Sequence, residues 1–499
     1  MKAFLMHPDR DFNLQQDMPP NEPALMQDLE LSTLFDAMAQ GAPFLFEVAK
    51  RAVLSGSHDP DTIRYRQEIL TDCLNHPSVV RELYRISVDA LESRRQSWYG
   101  LSNRSPSSIL YSAIHILEMS VRELKRMRKI ADERANRFSS AGLRTFYAML
   151  RRELDEEFFD SVREHLRELK FREGVLLSVE LGEGNEGTAY TLRKPPGDRR
   201  GWIERIFAKK PPAYTFRIAD RDEGGARILA GLENRGVNLV ANALAQSADH
   251  IDSFFTLLKA ELAFYIGCLN LHERLIEQGA PISFPLPVMA SDRRHAFRGL
   301  NDICLALTVR QKVVGNDANA DRKDLVIVTG ANQGGKSTFL RSVGLAQLMM
   351  QSGMFVPAES FCSNVCAGLF THYKREEDAT MKSGKLDEEL GRMSDIADRL
   401  APDAMILFNE SFTDTNEREG SEIARQIVFA LQEKRIKIFF VTHLYEFARG
   451  LYEEQSGNVL FLRAERQADG TRTFRLREGE PLQTSYGEDL YRRIFLTND

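Results

Sequence analysis

Two short stretches and a third strand end carry residues whose types and spacing suit phosphate chemistry. Gly330-Ala331-Asn332-Gln333-Gly334-Gly335-Lys336-Ser337-Thr338 satisfies G-x-x-x-x-G-K-[ST]. In such a loop the glycines let successive backbone N–H groups turn inward around a polyphosphate, and the following helix N-terminus adds positive potential. Lys336 would then reach the β- and γ-phosphates, and the Ser337 hydroxyl would bind Mg²⁺. Further on, the apolar run Met405-Ile406-Leu407-Phe408 ends in Asn409 and Glu410. Glu410 is the candidate general base for an attacking water. Asn409 stands where an aspartate would help hold the metal, and its amide keeps an acceptor oxygen without the charge. Val441-Thr442-His443 closes another apolar run, which makes His443 a candidate sensor of the γ-phosphate.

These residues need a scaffold that brings separate strand ends together. Leu325-Val326-Ile327-Val328 feeds the glycine loop, and a helical pattern opens at Lys336. Met405–Phe408 and Ile436–Val441 read as buried strands, while Ala424–Gln432 and Tyr445–Leu451 read as helices. The expected architecture from 290 to 499 is a parallel α/β sheet of the phosphate-loop (ABC-type) ATPase class, with nucleotide at the carboxyl ends of the strands. A hairpin of Val459–Arg463 and Thr473–Arg477, with Asp469-Gly470 in its connection, completes it.

The preceding sequence is helical. Residues 1–30, with Pro19, Pro20 and Pro23, form an irregular lead-in, and 31–289 form a mainly α-helical core and lever domain. Asp59 or Asp61 caps a helix carrying Ile63, Tyr65 and Ile69. Leu117, Val121, Leu124 and Met127 share one helical face. A Gly-, Pro- and Arg-rich insert at 174–217 opens with the strand-like Val175–Leu181 and makes a small β excursion. Another helix follows from about Ala243 to Gln278, its apolar positions Ile251, Phe254, Leu258, Leu262, Tyr265 and Leu269 stepping by three and four. At 1.5 Å per residue it would be roughly 54 Å long, a lever rather than a compact core. Pro281, Pro285 and Pro287 end it.

Composition sets outer bounds. The chain has 499 residues, 43% hydrophobic and 28% charged, with net charge −6. No uninterrupted apolar run approaches the ~18 residues of a membrane span, and the start lacks the apolar core of a secretory signal, so a cytoplasmic protein is expected. Five scattered cysteines (Cys73, Cys268, Cys304, Cys362, Cys366) suit reduced, buried thiols; Cys362 and Cys366 near His372 lack a second pair to complete a metal site. Positive charge is concentrated from Val121 to Arg152, with ten Lys or Arg against three Asp or Glu, and from Arg193 to Lys210, with seven against two. Arg193, Lys194, Arg199, Arg200, Lys209 and Lys210 are the candidate contacts to a nucleic-acid backbone.

The order of Gly330–Thr338, Ile406–Ser411, Val441–Phe447 and Ser485-Tyr486-Gly487 resembles the MutS family of DNA mismatch-repair ATPases. The resemblance extends upstream to Asp59–Gln67 and Ala260–Gly267, and covers roughly 30–499. It implies ATP and Mg²⁺ as ligands, Asn316 in the adenine-side loop, and a homodimer through the ATPase domain. Each nucleotide would be closed by a signature segment of the second subunit, for which Ser383–Leu390 is the candidate, with Ser383 on the nucleotide. It further implies a nucleotide-gated dimer whose helical arms engage duplex or distorted DNA in repair or recombination. Three features depart from the family's pattern: Asn409 for aspartate, Gly384 at the signature serine, and no match to the N-terminal mismatch-reading and connector domains. The Phe-x-Glu at Phe171-Arg172-Glu173 lies in the lever region and is no mismatch wedge. An alternative is a nucleotide-switched protein scaffold with weak ATPase and little DNA specificity.

Overall fold

The computed structural model describes residues 1–98, 105–172, 174–194, 217–219, 221–309, 312–375, 384–455, 457–467 and 470–483. The chain divides into two compact units, each assembled from separate stretches. One comprises Met1–Ala3, Glu82–Arg137 and Thr145–Lys259; the other comprises Phe4–Arg81, Phe138–Arg144 and Ala260–Asp499.

The helices before the first strand are α1 (Glu22–Asp28), α2 (Leu31–Ala39), α3 (Pro43–Leu54), α4 (Pro60–Asn75), α5 (Pro77–Trp98), α6 (Pro106–Arg134), α7 (Ala141–Glu153) and α8 (Glu156–Glu168). Pro43, Pro60, Pro77 and Pro106 each open a helix, where a missing N–H has no intrahelical partner to lose. Of the two candidate caps for α4, Asp59 is the one used: it accepts from the amides of Asp61 and Thr62. Residues 1–30 are less irregular than expected. They contain α1, and Leu5 and Met6 are fully buried.

In the first unit, β1 (Leu176–Leu181) and β2 (Gly187–Arg193) form an antiparallel hairpin, the β excursion expected there. The helix α9 (Glu223–Glu277) runs from this unit into the other and starts at Glu223 rather than near Ala243. Gly224, Gly225, Gly231 and Gly236 weaken the helical signal of that first part, each by roughly 1 kcal/mol against alanine. Packing explains one of them: a Cβ on Gly236 would lie 2.2 Å from Leu177 Cδ2, so glycine lets the hairpin rest on the helix without Leu177 having to move. α9 contains a window apolar and long enough for a membrane span, but 83% of that window is buried in the protein, as in a core helix. The core of this unit joins Leu110, Ile114 and Leu117 of α6 to Leu166 of α8 and Val237, Ala241 and Ala248 of α9.

Among the described residues the second unit contains two sheets. Its elements, in order after α9, are β3 (Leu286–Val288), β4 (His295–Leu300), α10 (Ile303–Thr308), β5 (Asn316–Asn319), β6 (Leu325–Gly330), α11 (Lys336–Ser352), β7 (Ser360–Asn364), β8 (Leu369–Tyr373), α12 (Lys385–Ala397), β9 (Met405–Asn409), α13 (Glu417–Glu433), β10 (Lys437–Val441), α14 (Tyr445–Glu453), β11 (Val459–Arg466) and β12 (Arg472–Glu478). The larger sheet has the order β12-β11-β6-β10-β9-β8 and is parallel except for β12, which closes one edge antiparallel to β11. The smaller one runs β3-β7-β4-β5. All six residues of β6 are buried, which fits a parallel strand covered on both faces and accounts for its unbroken apolar sequence. Ile327, Ile406, Phe408, Ile438 and Phe440 pack with Val428 and Leu431 of α13 and with Phe447 of α14. Helices α1 to α4 belong to this unit as well, with α3 and α4 packed against α11.

Candidate functional site

Strand register decides where the chemical residues fall. Val441 sits opposite Val328 on one side and opposite Asn409 on the other. The carboxyl ends of β9 and β10 therefore finish level, β6 runs two residues further to Gly330, and Gly330, Asn409-Glu410 and Thr442-His443 emerge at one edge. Thr442 N donates to Val328 O, and Glu410 N donates to Val441 O at 2.9 Å, tying the three strand ends together.

The loop from Gly330 through Ala331, Asn332, Gln333 and Gly334 to Gly335 leads into α11, which begins at Lys336 and continues through Ser337 and Thr338. Gly330 has φ of +109°, and a Cβ there would meet Ala464 N of β11 at 2.9 Å, so both backbone conformation and space require glycine. Gln333 and Gly335 also lie in the left-handed region. Lys336 folds back over the loop, and its Nζ donates to the carbonyls of Gly330 at 3.0 Å and Ala331 at 3.1 Å. Burial lowers its ammonium from the ordinary 10.5 to about 8. A buried cation whose hydrogen bonds end on neutral carbonyls is a site that an anion would stabilise.

Across the loop, the Ser337 hydroxyl donates to Asn409 Oδ1 at 3.0 Å. The Glu410 carboxylate lies 3.0 Å from His443 Nε2. That hydrogen bond, helped by the charges of His443, Lys336 and Lys374, holds Glu410 below its ordinary value despite partial burial. The residues singled out at 330–338, 409, 410 and 443 thus converge, and a hydroxyl and an amide oxygen stand together where a divalent cation would be held. The donor set fits Mg²⁺ chemistry, being oxygen throughout, although its only carboxylate is Glu410.

Asn316 is tied to the neighbouring strand β12. Its side chain serves as a strand partner for β12, with Nδ2 donating to Phe474 O at 3.3 Å and Oδ1 accepting from Leu476 N at 2.7 Å. It still lines a cavity of about 350 Å³ beside the loop, with Leu305, Val314, Gln333, Thr338, Phe339 and Phe474 among its walls. Phe474 is a site residue that pattern reading missed. Its strand was visible, but only the fold shows that β12 returns to the Gly330–Gly335 loop.

Of the candidate backbone contacts, Arg193 Nε donates to Ser178 Oγ at 3.0 Å within the hairpin, and Lys194 pairs with Glu168 at 2.6 Å. Arg199, Arg200, Lys209 and Lys210 lie outside the described residues, as do Ser383 and the Ser485-Tyr486-Gly487 motif. In the other basic stretch several cations are engaged internally: Arg126 with Asp89 and Glu123, Arg128 with Asp132, and Arg134 with Glu82. The five cysteines are free thiols, four of them buried, and burial pushes Cys366 up to about 12.

Comparison with known proteins bears on the same stretches. Residues 58–278 match the MutS2 N-terminal domain, and residues 326–496 match MutS domain V, which contains every residue of the converging strand ends. The chain belongs to the MutS family. Similar relatives include the DNA mismatch repair protein MutS of Clostridium kluyveri, 26% identical over 255 residues, which are 47% of this chain and 29% of the relative. The protein of the same name from Methanococcoides burtonii is 26% identical over 248 residues, 49% of this chain and 27% of the relative. The one from Leptospira interrogans is 25% identical over 340 residues, 64% and 39% respectively. The match to these MutS proteins therefore spans well under half of their length.

Proposed function

We propose that this protein is an ATP-binding and ATP-hydrolysing member of the MutS family that works on DNA as a homodimer. One observation carries the proposal: a glycine loop with a buried lysine bonded to neutral carbonyls faces a Ser337–Asn409 pair and a Glu410–His443 pair across the ends of three neighbouring strands. The amides of 331–337 and Lys336 would hold the phosphates, Ser337 and Asn409 would hold Mg²⁺, and the 350 Å³ cavity would take the base. Bound MgATP supplies the phosphoryl bond that is cut and the metal charge that offsets its developing negative charge. Glu410, kept ionised by His443, orients and deprotonates the attacking water. His443 keeps that carboxylate aimed and lies where the terminal phosphate would reach. Asn409 gives the metal an oxygen without a charge, which favours slow turnover. The relatives are DNA mismatch repair proteins, and this, together with the basic insert, supports DNA as the partner. Ser383–Leu390 is the segment we assign to closing the second subunit's nucleotide.

The internally paired arginines of α6 favour the scaffold alternative to some degree, because charges bound to Asp89, Glu123 and Asp132 are not offered to phosphates. A single panel separates the two. ATPase rate is measured for the wild type and Lys336→Ala with no DNA and with homoduplex, mismatched, branched and single-stranded DNA, and gel shifts are run at low and high salt. A DNA-working ATPase shows Lys336-dependent turnover that at least one DNA form alters, and salt-sensitive binding. Turnover indifferent to every DNA form, with no shift at low salt, sinks it.

A further inference from the structure

The turn that carries Glu410 is held by His372 and by Glu389, the second of which lies within the Ser383–Leu390 segment. Glu410 and Phe412 both adopt left-handed backbone conformations, with φ of +54° and +63°. Neither is glycine, so such a turn persists only where its surroundings over-determine it. Two elements do this. From α12, the buried carboxylate of Glu389 accepts the Phe412 N–H at 2.8 Å, and among the described residues nothing bonds to its second oxygen. From β8, buried His372 has Nδ1 2.8 Å from Ser411 Oγ and Nε2 3.2 Å from the Glu389 carbonyl. Burial lowers His372 to about 4, so the ring is neutral. In the neutral ring Nε2 donates to the Glu389 carbonyl, while the Ser411 hydroxyl, which donates its one proton to the His372 carbonyl at 2.7 Å, lies against Nδ1. The ring also stacks on Phe412, with centroids 5.3 Å apart and planes at 22°. The sequence around Glu410 is thus clasped on one side by a helix and on the other by a strand, and the two clasps bond to each other.

We propose that Glu389 and His372 are positioning residues for Glu410, and that α12 acts on hydrolysis through the Glu389–Phe412 hydrogen bond. The proposal rests on Glu410 being the hydrolytic base. Among the described residues no hydrogen bond or ion pair joins Glu389 to the glycine loop, and although it lies in Ser383–Leu390 its carboxylate faces the Phe412 amide, so its loss moves the Glu410 carboxylate rather than the loop that holds the phosphates. Misplacement by a fraction of an ångström to 1 Å costs roughly ten- to a hundredfold in rate, and the effect belongs in kcat.

The test uses the full chain with Glu389→Leu, Glu389→Gln and Ser411→Ala. ATP turnover, ATP affinity by equilibrium binding, and amide hydrogen exchange of the peptides covering 405–416 and 325–330 are measured for each. Glu389→Leu keeps the volume and removes the acceptor; kcat should fall about tenfold or more, with affinity within about twofold. Exchange should rise across 410–413 and stay unchanged at 325–330. Glu389→Gln restores an acceptor oxygen and should recover most of the rate. Ser411→Ala, small enough to fold should the leucine variant not, should lose part of kcat by releasing His372. The proposal is overturned if turnover survives both Glu389→Leu and Ser411→Ala, if glutamine rescues nothing, or if kcat and affinity fall together with exchange rising throughout the sheet. If the wild type proves not to hydrolyse ATP, the functional reading fails by itself. Exchange at 410–413 then still decides whether Glu389 holds the turn.

Discussion

Lys336 should make nucleotide affinity depend on pH in a range where ATP has finished titrating. In the nucleotide-free protein burial sets this ammonium near 8, against an ordinary 10.5. A bound polyphosphate restores the charged form, so binding takes up a proton once the free site has begun to lose it. The sign follows: affinity is complete below about pH 8 and falls as pH rises above it. With a free-site value near 8, the charged fraction drops from about nine-tenths at pH 7 to about one-half at pH 8 and about one-tenth at pH 9. The dissociation constant should therefore weaken about tenfold between pH 7 and pH 9, within a ceiling of ~3 kcal/mol at ~1.4 kcal/mol per pH unit. Calorimetric titration with a non-hydrolysable ATP analogue and Mg²⁺, in two buffers of different ionisation enthalpy, reads both quantities. It should find almost no proton uptake at pH 7 and about half a proton at pH 8. Lys336→Arg, which cannot lose its charge, provides the flat reference. A wild-type dissociation constant that is level from pH 7 to 9, with no uptake at pH 8, would refute the assignment of Lys336 to the phosphates.

Three further outcomes are expected. Asn409→Asp keeps the oxygen that accepts the Ser337 hydroxyl and adds a charge; Mg²⁺-dependent hydrolysis should be preserved or raised, with half-saturating Mg²⁺ about tenfold lower, the ~1.4 kcal/mol of a partly screened charge. Loss of activity in that variant would show the metal position is wrong. Glu261 accepts the amides of Leu5 at 2.6 Å and Phe12 at 3.1 Å, and burial raises it from 4.5 to about 7. The folded chain therefore holds a proton that the unfolded chain releases, and stability falls as pH rises from about 4.5 to 7. Relative to wild type, the Tm of Glu261→Gln should improve from pH 5 to about pH 7 and level off above it; parallel curves would count against a titrating Glu261. Replacing Arg199, Arg200, Lys209 and Lys210 together by alanine should weaken duplex binding and lower the slope of log K against log salt by about three to four, near 0.9 per phosphate contact. An unchanged slope places the DNA surface elsewhere.

What the sequence discloses and what it hides follow from the distance over which each constraint acts. The glycine loop is legible because phosphate chemistry dictates consecutive residues: Gly330 to Ser337 must be spaced as they are for amides, ammonium and hydroxyl to converge. The parallel strands β6, β9 and β10 are legible because burial on both faces leaves unbroken apolar runs, and the motifs then fall at their ends. The course of α9 before Ala243 is hidden, since four glycines look like helix breakers, and the one that packs against Leu177, Gly236, shows its reason only once the hairpin is in place. The part played by Asn316 is hidden for a similar reason: an asparagine that substitutes for backbone in pairing with β12 has no local signature, and its partners lie at Phe474 and Leu476. Glu389 belongs to the same class. Its neighbours in α12 give it the look of one more acid on a helix that also carries Asp387 and Glu388. Only β8 and the segment after β9, folded against it, turn one of those three carboxylates into the buried acceptor for the Phe412 amide. A motif therefore identifies the groups that would touch the nucleotide, while the groups that fix their angle are chosen by tertiary contact. That difference is why Lys336 and Glu410 could be named from spacing alone, and why Glu389, His372 and Ser411 required the fold.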